Sequence, residues 1–216
     1  NFTEEIFYNP RLAMSWKFND KWTLVSSLGT YDRLPDIDKL FPDIGNVKLK
    51  SPTSHHFTLG LKQTLADGWS WSATAYYKTM DDLPLAMIAN QVPNYTNNVE
   101  GRAYGLDIFI NKELQDRWYG WLALSTSKSL RKNKLTGIET DYYLDTPAVL
   151  NLVINYKLTD RWNFGGRFTV QTGSAYTPIV GAQQNPYFDD HILPIYGDAF
   201  SENLPAYARL DLRFKH

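Results

Sequence analysis

Apolar and polar residues alternate along most of this chain with a period of two. The cleanest stretch sets Leu150, Leu152, Ile154, Tyr156 and Leu158 on one face and Asn151, Val153, Asn155 and Lys157 on the other. After a short interruption the pattern resumes, with Trp162, Phe164, Gly166, Phe168 and Val170 against Asn163, Gly165, Arg167, Thr169 and Gln171. Alternation of this kind predicts strands with one apolar and one polar face. Segments 12–18, 22–28, 55–61, 69–77, 104–110 and 210–214 repeat it less purely, and 118–126 is ambiguous because both faces carry large apolar groups. About nine strands are expected. Eight residue steps of about 3.3 Å, tilted by about 40°, rise roughly 20 Å, close to the apolar band of about 25 Å on a membrane β-barrel.

A hexamer interrupts the alternation four times, at intervals of about 45 residues: 17–22, 64–69, 113–118 and 157–162. Each copy has an apolar residue (Phe18, Leu65, Leu114, Leu158), a polar segment containing Asp20, Asp67, Asp116 or Asp160, and a tryptophan (Trp22, Trp69, Trp118, Trp162). These read as tight hairpin turns. The apolar residue and the tryptophan are expected to pair across the strands, and the four tryptophans to form the aromatic girdle at the periplasmic interface. Between the turns lie long connections, at 32–53, 82–97, 128–146 and 173–205, rich in Pro, Asn, Asp and Tyr. Short turns on one side and long loops on the other are the asymmetry of outer-membrane barrels.

The cost of burying charge assigns the faces. Arg or Lys against lipid at mid-membrane costs roughly 2–4 kcal/mol, and Arg11, Asp107, Arg167, Arg209, Asp211 and Arg213 all fall on the polar face, which is therefore the lumen. A formal net charge of −1 argues against a nucleic-acid partner. The absence of cysteine fits passage through an oxidising compartment. Tyr and Trp together outnumber Phe, which suits rings placed at a membrane–water interface. No apolar run is long enough for a transmembrane helix. The first residue is Asn1, without a basic or apolar leader, and nine is an odd number for a bacterial barrel. A piece of a larger barrel is expected, with strands missing at one or both ends.

Motifs in order along the chain carry a resemblance. Asp145-Thr146-Pro147-Ala148-Val149-Leu150-Asn151-Leu152 leads to Tyr156-Lys157-Leu158, Arg161-Trp162 and Gln171-Thr172-Gly173-Ser174-Ala175-Tyr176-Thr177-Pro178. Asn9-Pro10-Arg11-Leu12, Arg33-Leu34-Pro35, the segment 45–52, Asn98-Val99-Glu100-Gly101-Arg102 and the segment 204–213 complete the set. Together they resemble the C-terminal part of the barrel of TonB-dependent outer-membrane receptors. The chain departs from that pattern at Ala148, where His is usual, at Thr172 for Ser and at Ala175 for Pro. The resemblance implies an all-β transmembrane antiparallel barrel of which residues 1–216 are one part, about 9 of some 22 strands, with the plug domain and final strands outside it. It also implies outer-membrane lipid as surroundings, energising by TonB-ExbB-ExbD through the missing N-terminal region, a small-molecule or oligomeric nutrient, and a surface lipoprotein as accessory partner. The location implied is the outer membrane of a Gram-negative bacterium, crossed many times.

Candidate chemistry is sparse. His55 and His56 are adjacent, so on a strand they point to opposite faces and cannot chelate one ion together. Asp189-Asp190-His191 could hold a divalent ion or a metal chelate, but the preferred reading is a solvated loop tip. No cofactor, resident metal or catalytic residue is expected. Loop aromatics and cations are better ligand candidates: Tyr31, Arg33, Tyr95, Tyr176 and His191 foremost, with Tyr142, Tyr143, Tyr187 and Tyr196 at the same level. Such rings equally suit an upper interface belt. The function expected is import of a scarce nutrient (siderophore, cobalamin, oligosaccharide or peptide). The alternatives are a smaller self-contained barrel, acting as passive channel or surface enzyme, and a soluble β-propeller, whose blades also recur every 40–45 residues.

Overall fold

The computed structural model describes residues 6–41, 45–89, 92–115 and 117–216. Asp116 of the third turn and the side chains of Asp189 and Asp190 lie outside the described part. The strands, in chain order, are β1 (Arg11–Lys17), β2 (Trp22–Asp32), β3 (Thr53–Thr64), β4 (Trp69–Ala89), β5 (Val92–Gln115), β6 (Trp118–Asn133), β7 (Glu139–Asp141), β8 (Ala148–Lys157), β9 (Asn163–Gln171), β10 (Ala175–Tyr176), β11 (Ile179–Asn185), β12 (Phe188–Tyr196), β13 (Glu202–Asn203) and β14 (Tyr207–Lys215). Nine of them form one antiparallel sheet in the order β1-β2-β3-β4-β5-β6-β8-β9-β14, and β7 adds to β6. One continuous sheet rules out the blades of a propeller. β1 and β14 end the path without pairing to each other, so the sheet is an open part of a barrel.

The register confirms the two faces across all nine strands. One row of hydrogen-bonded neighbours runs Trp16, Leu24, Leu61, Ala73, Ile108, Leu124, Leu150, Val170 and Ala208. That row starts two residues before Phe18 and reaches β9 eight residues after Trp162. Its climb from the turns toward the loops is the stagger that a tilted, closed barrel requires. The ambiguous strand β6 is resolved by the same register: Leu122 and Leu124 share the apolar face, while Tyr119, Trp121 and Ala123 face the lumen. Phe109 joins them there, 6.1 Å from the Trp121 ring.

Packing supplies no core to this sheet. Among the described residues the only buried apolar ones are Leu49 and Ala175. Large outward side chains are open instead, Trp16 at 59 % and Phe214 at 65 %. In water so much uncovered apolar surface is unfavourable; against hydrocarbon it is the face the medium matches.

The four hexamers close their hairpins by different means. In the first, the Asn19 side chain accepts the Lys21 and Trp22 amides, both at 2.9 Å, and Asp20 pairs with Lys17. The fourth is analogous: Thr159 Oγ1 accepts the Arg161 and Trp162 amides, and Asp160 pairs with Lys157 at 2.9 Å. In the second, Asp67 and Gly68 both have positive φ, +56° and +71°, the conformation of a type I′ turn, whose twist suits a hairpin. The third contains a bulge between Lys112 and Gln115, so Trp118 pairs with Gln115 and not, as expected, with Leu114. Trp162 lies opposite Leu158 by the Lys157–Asn163 register, as expected, and also rests on the His216 ring at 4.6 Å. Trp69 meets Trp118 edge to face at 5.4 Å, while Trp22 meets Trp71 rather than Trp69. Lys112 has the parity of the lipid face but sits at its lower edge, where its ammonium reaches down to the Asp67 carbonyl.

Connections opposite the turns contain more strand than expected. Beyond a register break at Met80–Leu85, where Asp82 has φ +54°, β4 and β5 stay paired from Leu83–Val99 as far as Ala89–Val92. The last connection, 173–205, folds as the pairs β10–β13 and β11–β12. A charge test separates the two faces of the wall. Leu124→Arg, facing lipid between Ile108 and Leu150, should cost about 2–4 kcal/mol and lower the yield of heat-modifiable, assembled full-length barrel. Ser125→Arg, one residue on and beside Asp107 in the lumen, should assemble like the wild type.

Candidate functional site at the luminal wall and extracellular loops

Charge on the luminal side of the sheet is one-sided. The cations are Arg11 and Lys17 on β1, Lys62 on β3, Lys78 on β4, Arg131 on β6, Lys157 on β8, Arg167 on β9, and Arg209, Arg213 and Lys215 on β14. Against these ten stand three carboxylates, Asp107, Asp211 and, at the level of the turns, Glu113. Only Lys17, Lys157 and Arg209 have a carboxylate within 4 Å among the described residues, and two of those pairs lie at turn tips. The whole chain is nearly neutral, so the excess arises by segregation: most acids lie in loops, turns and the outer rim.

The five candidates named from sequence do not converge. Tyr31 faces the lumen near the top of β2, with the Arg11 guanidinium 4.3 Å over its ring and the His56 ring at 4.4 Å. Arg33 is engaged outside the strands by Asp36 at 2.6 Å. Tyr95 lies in the β4–β5 hairpin, where its backbone carbonyl accepts the Asn46 side-chain amide. Tyr176 donates its hydroxyl to Glu202 at 2.7 Å, which pushes the phenol pKa up. His191, on β12, rests near the Phe188 ring. No two of the five are joined by a hydrogen bond, ion pair or ring contact among the described residues. No group of three His, Asp or Glu suited to a metal ion occurs there either.

The structure adds ties between loops that sequence reading missed. Asn97 donates its side-chain amide to the Asp82 and Lys50 carbonyls and accepts the Lys50 amide, fastening the β2–β3 loop to the β4–β5 hairpin. Arg131 lies 4.1 Å over Tyr142, Tyr142 meets Tyr143 at 4.7 Å, and Tyr143 reaches Phe200 of the last loop. Asp145, the first residue of the long motif, is 2 % exposed. Its Oδ1 accepts the Ser129 amide at 2.8 Å, its Oδ2 faces Lys128 at 3.6 Å, and its own amide donates to the Tyr142 carbonyl. The motif acid thus pins the β6–β8 connection where it turns back into the sheet. Loop aromatics were visible in the sequence; an acid working on a backbone amide 16 residues away was not.

Two outcomes test these assignments in the full-length protein. Asp145→Ala leaves the Ser129 amide without its acceptor and should destabilise the connection by about 1–3 kcal/mol, read as faster protease cleavage within 129–147, whereas Asp145→Asn retains most protection. Asp36, held by Lys39 and Arg33, has its carboxyl below the usual carboxylate range. A lowered folded-state pKa means this loop order is complete above about pH 4 and is lost as pH falls through the lower folded value. Cleavage near 33–41 should therefore rise on acidification, and Asp36→Asn should remove that pH dependence without changing global stability, because the pair is exposed.

Comparison with known proteins follows the same lines. No curated protein matches the sequence. The sheet superposes on parts of solved proteins, among them the ferric enterobactin receptor of Pseudomonas aeruginosa in complex with enterobactin (TM-score 0.70, 19 % identity, 95 % of this chain and 32 % of that one). The FrpB iron transporter of Neisseria meningitidis gives a TM-score of 0.68 at 13 % identity, over 95 % of this chain and 31 % of that one. The ferripyoverdine receptor of Pseudomonas aeruginosa, bound to ferripyoverdine, gives 0.68 at 16 % identity, over 95 % and 26 %. The chain spans about a third or less of each of these proteins. A family profile described as TonB dependent receptor-like, beta-barrel, matches residues 2–216, and the chain belongs to that family.

Proposed function

We propose that this chain forms part of the wall of an outer-membrane active transporter, driven through TonB, that imports a scarce metal-bearing nutrient into a Gram-negative cell. The observation that carries the reading is the two-faced wall without a core: apolar outward, polar and cationic inward, with tied loops at the extracellular end. Such a wall is stable only around an aqueous or protein-filled lumen in a bilayer. The solved relatives favour metal cargo, being receptors for ferric enterobactin and ferripyoverdine and an iron transporter. Cobalamin, oligosaccharides and peptides are the other cargoes this architecture admits.

In this reading the plug and the remaining strands belong to the same protein outside residues 1–216, contact with TonB-ExbB-ExbD is made by that outside part, and any surface lipoprotein would dock on the loops. Tyr31, Arg33, Tyr95, Tyr176 and His191 are proposed cargo contacts, Tyr31 with most support because it faces the lumen. The Trp22, Trp69, Trp118 and Trp162 girdle sits at the periplasmic interface. Catalysis has no part in it.

Uptake measurements test the proposal. Cells making the full-length protein should accumulate radioiron from a ferric chelate, and collapse of the proton gradient or loss of TonB should reduce accumulation to the background of cells lacking the gene. Gradient-independent uptake of small solutes in general would instead identify a passive channel.

A further inference from the structure

We propose that the outward face of the wall, at the extracellular end of β4–β7, binds the phosphorylated sugar headgroup of an outer-leaflet glycolipid, with Arg102 and Lys132 holding its phosphate. The site rests on the outer-membrane placement of the import reading and is independent of its cargo.

Height on the wall locates the site. Tyr77 and Tyr104 are cross-strand neighbours on the outward face, stacked at 6.4 Å and close to half exposed. They stand eight residues above Trp69 and Lys112, a climb of roughly 20 Å for strands tilted by about 40°. Between those levels the outward positions of β4, β5 and β6 carry no charge. Charge returns at the tyrosine level and is gathered in one patch. There Lys128 lies opposite Tyr104, Arg102 opposite Thr79 and Leu130, and Lys132 opposite Glu100 on one side and Glu139 on the other. Apolar surface below, tyrosine at the border and charge directly above is the profile of a wall passing from acyl chains into headgroups.

The patch encloses a hollow. Tyr77, Thr79, Glu100, Arg102, Lys132 and Glu139, all of outward parity, line a cavity of about 340 Å³, within the size range of small-molecule sites. Lys128 is held apart from it by Asp141 at 2.5 Å and by buried Asp145 at 3.6 Å. The two cations of the hollow are diagonal neighbours on β5 and β6. Glu139 holds Arg102 at 2.7 Å, and Glu100 holds Lys132 at 3.1 Å. All four side chains are a third to a half exposed, so both pairs are weak and open to exchange. A phosphate takes the guanidinium in a forked, charge-assisted contact and the ammonium as a point charge. The released carboxylates accept hydrogen bonds from sugar hydroxyls.

Charge balance separates this occupant from a simpler one. Three cations (Arg102, Lys128 and Lys132) stand among four carboxylates (Asp81, Glu100, Glu139 and Asp141). A patch without positive excess has no diffuse attraction for an anionic phospholipid leaflet. Its ligand offers phosphate to the cations and hydroxyls to the acids, on a body whose chains continue down the apolar face past Tyr77 and Tyr104. A phosphorylated glycolipid combines all three.

The test counts lipids on the full-length protein by native mass spectrometry, after titration with diphosphoryl lipid A, dephosphorylated lipid A or phosphatidylglycerol. The wild type should bind diphosphoryl lipid A about tenfold more tightly than either other lipid. R102Q/K132Q should lose one tightly bound lipid A and R102K/K132R should keep it. E100Q/E139Q, which frees both cations, should bind it about twofold more tightly. Heat-modifiable migration checks that each variant is assembled. Equal lipid A binding by the wild type and R102Q/K132Q, or equal binding of the phosphorylated and dephosphorylated forms, would overturn the site. A loss in E100Q/E139Q as large as that in R102Q/K132Q would show the ion pairs to be struts of the wall, and overturn it too. Wild-type protein missing from the outer-membrane fraction would retire the placement, whereas protein found there with any of those three results retires the lipid site alone.

Discussion

Backbone hydrogen bonding between neighbouring strands is the interaction on which everything else in this chain depends. A sheet with almost no buried apolar residue cannot be held by a core. It is held by ladders that satisfy nearly every strand amide and carbonyl, in surroundings where no water could replace them. That requirement makes the strands antiparallel neighbours in chain order and keeps the turns short on one side. It also demands closure, because β1 and β14 each expose an edge whose groups need partners.

Once the ladders are set, the solvent on each side decides the side chains. Hydrocarbon removes charge from the outer face except at its borders, where Lys112 reaches a turn carbonyl at the lower edge and Arg102 meets Glu139 above the Tyr77–Tyr104 pair. Water or protein in the lumen accepts charge of either sign, yet ten cations face it against three carboxylates. Membrane insertion explains why charges point inward. It does not by itself set their sign.

The extracellular end is organised differently from the floor. At the floor, side-chain caps from Asn19 and Thr159, a positive-φ turn at Asp67–Gly68 and a bulge before Trp118 reach the same hairpin reversal by separate local routes. At the top, order comes from contacts between loops distant in sequence, such as Asn97 with Lys50 and Tyr143 with Phe200. Binding surfaces belong there because loops on a rigid wall vary without disturbing the ladders.

The nine strands of the main sheet, their two faces and the turn positions were legible in the sequence alone, because each rests on alternation or on residues within one hairpin, and the family was legible from motifs in order along the chain. A period of two survives any tertiary arrangement, so Leu150 to Leu158 and Trp162 to Val170 were legible at once. Strand β6 was not, since leucines on one face and Trp121 with Ala123 on the other give alternation nothing to distinguish; only pairing to β5 and β8 orients it. The Leu114–Trp118 pairing failed for a related reason, as a bulge shifts register by a geometry that no single side chain announces. The contacts of Asp145 and Asn97 and the outward patch joining Arg102, Lys132 and Glu139 are products of tertiary structure alone. Their partners are tens of residues apart, and a one-residue slip in any intervening strand would have turned each side chain to the opposite face.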